Sequence, residues 1–394
     1  MRKNFRLPAR RRMLPTLDTL EERALLNASI PHMRKGAAAS AELSAMDKKG
    51  AAPIVPNLPS MPNVSVSTVP ASGDVNPYGL ALVPNGFPSG GLIHAGQFLV
   101  SNFNNSTNTQ GTGTTISIVT PGQNPATAPV FFNSSAVGLT EALGVLKSGF
   151  VIVGNVPTTD GKFDTIGPGE LQVIDRNGTV VLTLSNASTG TNLFDGPWAL
   201  TVNDSPNRPQ VFVSNVESGT ITRIDFKVVR HKGQTNLQVV SMTQIASGYL
   251  VQPNSAAVIV GPGGLAYNSK TGTLYVAATG DNKIFAIAHA NKTNSDNGTG
   301  SLVFQNSVLS GPIGLALAPN GDLLTTNDDA VNTNVNPPSL LIEFTPTGQF
   351  VGDLSLDPAF GAAFQVLALK HGKTTIVATV NDDTNKLDFR ATNT

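Results

Sequence analysis

The chain has no cysteine in its 394 residues, which excludes disulfide staples and thiolate metal sites and is neutral about compartment. It has no apolar run of 18 or more residues, the length a membrane-spanning helix needs. Charge is scarce: Asp, Glu, Lys and Arg make up 13% of the chain, against about 25% in ordinary globular proteins. Asn, Thr, Ser and Gly fill the gap, a balance that fits an extracellular β protein better than a cytosolic enzyme. Histidine is sparse too. His32, His94, His231, His289 and His371 fall at positions that share no pattern, so three imidazoles converging on zinc are not expected.

The formal charge is zero, but it is unevenly spread. Nine Lys or Arg and three acids lie in residues 1–35, which leaves the remainder at −6. The positive charge belongs to the N-terminal tail. A nucleic-acid footprint would need a basic face on the folded part, and none emerges from the sequence, so no nucleic-acid partner is expected.

What is present is a repeated unit, clearest from Pro262 to Ala290 (PGGLAYNSKTGTLYVAATGDNKIFAIAHA). Short apolar runs at 264–267, 274–278 and 283–287 are separated by polar turns carrying Gly272 and Gly280. Each turn contains residues that tolerate positive φ, so each run can reverse and pair with its predecessor. The runs are apolar on both faces, as in a sheet packed between neighbours on either side.

The unit recurs. First strands are expected at 78–82, 141–145, 198–202, 263–267, 313–317 and 364–368, with second strands at 98–100, 151–153, 211–213, 275–276, 323–324 and 376–377. Third runs follow in every unit, and fourth runs in most, such as 129–132, 180–184 and 301–304. Four strands per unit, repeated about every 50–65 residues, spell a β-propeller. The expectation is all-β, with six four-stranded antiparallel blades. The sixth unit reaches Thr394 without a fourth run, while a strand-like segment, Asn63–Val69, precedes the first unit. The N-terminal strand is therefore expected to complete the last blade and close the ring.

Ahead of the propeller (63–394), residues 1–30 form a basic leader and residues 31–62, with prolines at 53, 56, 59 and 62, form an Ala/Pro-rich linker without a core. Deleting residues 1–55 is accordingly expected to be tolerated. Polar residues from Thr16 to Arg23 break any h-region, so a standard signal peptide is not expected. The tract Leu20-Glu21-Glu22-Arg23-Ala24-Leu25-Leu26 resembles a short L-E-x-R-x-L-L element near the N-termini of some bacterial exported or cell-surface proteins. That resemblance implies an extracellular or envelope location.

The segment Gly263–Ile287, and the first half of its pattern at 311–327 (GPIGLALAPNGDLLTTN), resemble the NHL-type repeat of six-bladed propellers. The resemblance covers about residues 64–390 and implies the fold, but no single function, because propellers of this type include enzymes and binding scaffolds. The family's repeats often place Asp at the end of the second strand; here that position reads Asn102, Asn155, Asn215, Ala278, Asn327 and Thr379. A second, partial resemblance is to metal-dependent lactonase-like propellers. Asp195-Gly196-Pro197-Trp198 is similar to their E-G-P-x-W tract, with Glu141, Asn155, Asn203 and Asp204 as companions. Asp replaces Glu, however, and the tract falls in the third blade.

Two candidate sites follow. Asn102, Asn155, Asn215 and Asn327 would lie on one face of the ring and, with the single tryptophan, Trp198, could line a glycan or small-molecule site; the alternative is that each Asn serves its own turn. Asp281, Asp328, Asp329, Asp382 and Asp383, in loops after second strands, supply the oxygen ligands calcium or another divalent ion needs, or are solvated turn residues. The expected function is a non-catalytic binding or scaffold module for a protein, glycan or small ligand, acting as a monomer; the alternative is a divalent-metal hydrolase or lactonase.

Overall fold

A computed structural model describes residues 52–331 and 336–393; the leader and the linker up to residue 51 lie outside the described residues. Strand β1 (Val64–Ser67) comes first and stands apart in sequence from its partners. Blade one is β2 (Val75–Leu82), β3 (Phe98–Asn104), β4 (Thr115–Val119) and β5 (Val130–Asn133). Blade two is β6 (Leu139–Leu146), β7 (Phe150–Asn155), β8 (Leu171–Asp175) and β9 (Val180–Leu184). Blade three is β10 (Pro197–Asn203), β11 (Gln210–Asn215), β12 (Thr220–His231) and β13 (Gln234–Ala246). A small hairpin, β14 (Gln252–Asn254) and β15 (Val258–Val260), leads to blade four: β16 (Pro262–Asn268), β17 (Thr273–Ala278), β18 (Lys283–Ile287) and β19 (Ser301–Phe304). Blade five is β20 (Pro312–Leu317), β21 (Leu323–Asn327), β22 (Leu340–Phe344) and β23 (Phe350–Ser355).

Blade six takes β24 (Ala363–His371), β25 (Thr374–Asn381) and β26 (Lys386–Asn393) from the C-terminus and β1 from the N-terminus, in the order β1-β26-β25-β24. The six-bladed ring and its closure by an N-terminal strand are as the sequence predicts. Closure removes the open edge that a last, three-stranded blade would present.

The inner strands β2, β6, β10, β16, β20 and β24 line the axis, and each breaks register once near its start. This bulge bends the strand as it turns into the channel. The glycine of the repeated G-L-A element has a steric reason here. A Cβ on Gly264 would lie 2.2 Å from the Ile313 carbonyl oxygen, and one on Gly314 would lie 2.5 Å from that of Phe364. Only a residue without a side chain lets neighbouring inner strands approach so closely.

The cores lie between blades. Leu146, Ile152, Val173, Leu200, Val213 and Phe226 pack blades two and three together; Ala266, Tyr275, Leu315, Leu323 and Phe344 do the same for blades four and five. Apolar residues on both faces of each blade are thereby buried, which explains the near-continuous apolar runs in the sequence.

The expected linker, 31–62, needs a correction over its last part. Ile54, Val55 and Leu58 are buried against Ala316, Leu324, Leu341, Val366 and Val377, in the seam between blades five and six. A short 3-10 turn at Val55–Asn57 brings the Ile54 and Val55 amides onto the buried Glu343 carboxylate, at 2.8 and 2.7 Å. Asn320 donates to the same carboxylate at 2.8 Å. Alanine and proline richness reads as a coreless segment, but three apolar side chains and two amides of its last part fit a groove between the blades.

Candidate functional site

Equivalent positions can be read from the register. Leu80, Leu143, Leu200, Leu265, Leu315 and Val366 pair with matching second-strand residues in their blades. Two residues earlier stand Tyr78, Glu141, Trp198, Gly263, Ile313 and Phe364, one per blade. Tyr78 touches Trp198 edge-on at 5.7 Å and stacks on Phe364 at 4.2 Å. Blades one and three are not neighbours, so the contact with Trp198 crosses the axis. Phe103 adds to the cluster, 4.8 Å from Tyr78 and 5.6 Å from Trp198. These rings close the channel at the end where the inner strands begin. Trp198 is 3% exposed, and it serves this plug rather than an open stacking platform.

Beyond the plug the channel widens into a funnel toward the ends of the inner strands. Its volume is about 410 Å³, and Leu80, Leu143, Leu200, Leu265, Leu315 and Leu367 represent the six blades in its wall. Lys147, Asp204 and Tyr267 stand at the wider end, where the Asp204 carboxylate accepts a hydrogen bond from the Lys147 amide at 2.9 Å. A concave hollow with apolar walls and a few polar groups at its open rim is a common form of small-molecule seat. It is not among the sites expected from the sequence, although its signature is there: five of the six repeats carry leucine at one register position.

The asparagines of the proposed ring are in a different place. By register the blade-six counterpart is Asn381, not Thr379, since Asn381 pairs with Ala363 as Asn327 pairs with Pro312. Five blades therefore carry Asn at this point. Each amide is buried and bonded to its own blade. Asn155 donates to the Val137 carbonyl at 2.8 Å and accepts from the Glu170 amide at 2.8 Å. Asn327 donates to the Val308 carbonyl and accepts from the Ser310 amide, at 2.8 and 3.0 Å. Asn215 accepts from the Asp195 amide at 3.3 Å, and Asn102 donates to the Thr115 hydroxyl at 3.0 Å. In blades two, three and five these bonds hold the incoming loop against the second strand; in blade one Asn102 reaches the incoming chain through the Thr68 carbonyl at 3.4 Å, and its side-chain oxygen is buried without a partner. Blade four has Ala278 at this position and lacks the clamp; its Asn282, in the following turn, bonds the Leu309 carbonyl and the Gly311 amide of the loop that enters blade five. Of the four expected residues, Asn155 also borders an open hollow of about 480 Å³ with Val137, Pro157 and Glu170.

The acidic candidates divide. Asp281 accepts from the Leu250 amide at 2.9 Å, and Asp383 is exposed. Asp329 is buried and accepts from the Gly361 and Ser339 amides at 2.6 and 2.7 Å; burial still raises its pKa. Asp328 is 3% exposed and borders a cavity of about 10 Å³ with Trp198, Ile259 and Thr279, room for about one water. Burial first, then the charges of Asp329 and Asp382, push Asp328 up to about 7. Burial and the neighbouring Asp383 do the same to Asp382, also to about 7. Glu141, the one acid in the axial ring, has both carboxyl oxygens buried without a hydrogen-bond partner; burial, then Asp328, raises its pKa well above the ordinary range. The field of Asp328, Asp382 and Glu141, added to burial, raises Tyr78 as well. Among the described residues, no three His, Cys, Asp or Glu are placed to share a metal ion.

The lactonase-like tract brings a second acid near Asp195. Burial and Asp195 raise Glu217 to about 7, and the Glu217 amide donates to the Asp195 carbonyl at 3.1 Å. Asn203 and Asp204 lie at the opposite end of β10 from Asp195, so the structure does not gather the expected companions around one point.

No family model and no curated protein matches the chain. Among solved structures, it is similar to a virginiamycin B lyase from Staphylococcus aureus, with 11% identity and a TM-score of 0.46 over 84% of this chain and 99% of that one. It is also similar to the calcium-binding protein regucalcin from Agrobacterium tumefaciens, with 11% identity and a TM-score of 0.44 over 83% and 95%. Nidogen, in a complex with laminin, gives 11% identity and a TM-score of 0.41 over 71% and 80%.

Proposed function

We propose that this chain is a non-catalytic binding propeller of the NHL-repeat kind, exported or held at the cell envelope as a monomer, which takes a compact apolar ligand into the wide end of its channel. The carrying observation is the funnel of about 410 Å³, walled by leucines from five blades at one position and rimmed by Lys147 and Asp204. Apolar burial supplies affinity in such a seat, and the few rim groups orient the ligand. Calorimetry with naphthalene and 1-octanol tests this. Binding with a negative heat-capacity change, weakened about tenfold or more by Leu317→Arg at the funnel wall, is the expected result. Saturable binding that Leu317→Arg leaves unchanged, or none of either probe, sinks the reading. Recovery of the protein in the cytosol on cell fractionation would undo its export component.

A second reading, a divalent-metal hydrolase or lactonase, has one observation in its favour: Glu141, Asp328 and Asp382, from blades two, five and six, all act on Tyr78 beside the axis. Melting with and without millimolar calcium, magnesium or manganese tests it. An unchanged midpoint with all three ions removes it.

A further inference from the structure

Blade three is built differently from the others at its outer edge. Strands β12 and β13 are paired over their whole length, from Ile221 with Ala246 to His231 with Gln234. The inner neighbour β11 pairs with β12 only up to Asp225. From Phe226 onward the two strands form a ribbon that runs past the end of the blade's ladder, closed by a two-residue turn. Lys232 and Gly233 both have positive φ there, 49° and 80°, the geometry of a tight hairpin turn.

The two faces of this ribbon differ. Phe226, Val228 and Leu237 are buried in the core between blades two and three. Arg230, next on that face, braces the ribbon by donating to the Asn207 side-chain oxygen at 3.0 Å. The opposite face follows from the register: Lys227 stands beside Gln238, Val229 beside Asn236 and His231 beside Gln234. Directly paired side chains lie about 5 Å apart. All but Val229 are exposed, as is Lys232 at the tip. No Asp or Glu occurs between Asp225 and Asp281 in the sequence, so no acid within the ribbon neutralises these cations, in a propeller whose charge beyond residue 35 is negative.

We propose that this face of the ribbon binds an acidic polysaccharide. Lys227 and Lys232 supply point charges for carboxylates, and the row of three amides, Gln234, Asn236 and Gln238, supplies paired donors and acceptors for sugar hydroxyls. The face carries no aromatic ring, so it lacks the stacking platform that single-stranded nucleic acid uses. Its one exposed large apolar side chain, Val240, follows Gln238 in the same row and stands alone, without the apolar stripe that inserts into a lipid surface. The surface is separate from the channel, and its test does not depend on the channel reading.

The test is binding of the full-length protein to an oligogalacturonate at low ionic strength, alongside a neutral dextran oligomer, an oligo-dT strand and vesicles containing phosphatidylserine. Two variants are compared: Lys227→Gln with Lys232→Gln, and Gln234→Ala with Asn236→Ala and Gln238→Ala. All five positions are exposed, and unchanged melting verifies that the fold is kept. The expected result is binding of the oligogalacturonate above all other probes, weakened by added salt and by about fivefold or more in each variant. Three outcomes overturn the proposal: no oligogalacturonate binding, binding of DNA or vesicles as tight as that of the oligogalacturonate, or oligogalacturonate binding that either variant leaves unaltered.

Discussion

Val64 and Phe389 are register partners, and the pairing continues through Ser65 with Asp388 and Val66 with Leu387 to Ser67 with Lys386. The Ser65 hydroxyl adds a bond to the Asp388 carboxylate, and the Val66 side chain, 1% exposed, enters the core that also holds Phe98, Val100 and Phe389. One short strand thus joins both ends of the chain and fills the space between blades six and one. Deleting residues 63–70 is expected to abolish cooperative unfolding, because it leaves β26 as an open edge beside an emptied core. A deletion variant that melts in one transition at the parent's temperature would show that closure needs no β1.

The buried asparagines give a stability prediction with a functional control. Asn155→Ala removes one clamp between an incoming loop and a second strand, and Asn327→Ala removes another across the ring. Each should cost about 1–3 kcal/mol, the usual effect of leaving buried backbone groups without a partner, and the two should add because they share no contacts. Urea titration measures both. If neither variant shifts the midpoint while ligand binding is lost, the amides serve a ligand and not the loops.

These clamps also mark what could be read from the sequence and what could not. The blades, their order and the closing strand were legible because apolar runs and glycine turns are local signals. The face that an Asn turns toward is not local. It depends on where the loop from the preceding blade passes, and Thr379 reads as the sixth member in sequence because the two-residue offset to Asn381 within β25 leaves no trace in the alternation. The funnel is illegible in sequence for a related reason: leucine in a strand looks the same whether it faces a neighbouring blade or the axis. Glu141 stands out in sequence only through a family resemblance, and its buried carboxyl without a hydrogen-bond partner is a product of tertiary packing.

Stability should fall with rising pH over the range where Asp328 and Asp382 ionise. Both titrate at about 7 in the native state, whereas an unfolded Asp titrates near 4. Between those values the native chain binds more protons than the unfolded chain, so the unfolding free energy decreases as pH rises from about 4 to about 7 and levels off above. Asp328→Asn keeps the shape and removes the buried charge. It should stabilise the protein by about 1–3 kcal/mol at pH 8, change little at pH 4, and flatten the profile between. Urea midpoints at the two pH values provide the measurement, and a variant profile parallel to the parent's would mean that these carboxyls are not buried as charges.

The N-terminal boundary of the folded unit can be located by truncation. A chain starting at Ala52 retains Ile54 and Val55 on Glu343 and should match the parent's melting behaviour. A chain starting at Pro59 keeps β1 but loses Ile54, Val55 and Leu58 from the seam between blades five and six. It also strips two amide donors from a Glu343 side chain that is 0% exposed. Uncovering the seam and leaving a buried carboxylate with fewer partners should together cost about 3–5 kcal/mol. Glu343→Leu offers the discriminating partner experiment. In the Pro59 chain it should recover part of that loss, since the orphaned charge is gone, whereas in the Ala52 chain it should destabilise, since the two amides then lose their acceptor. The same sign in both backgrounds would mean that the seam is held by apolar packing alone and that the carboxylate is incidental.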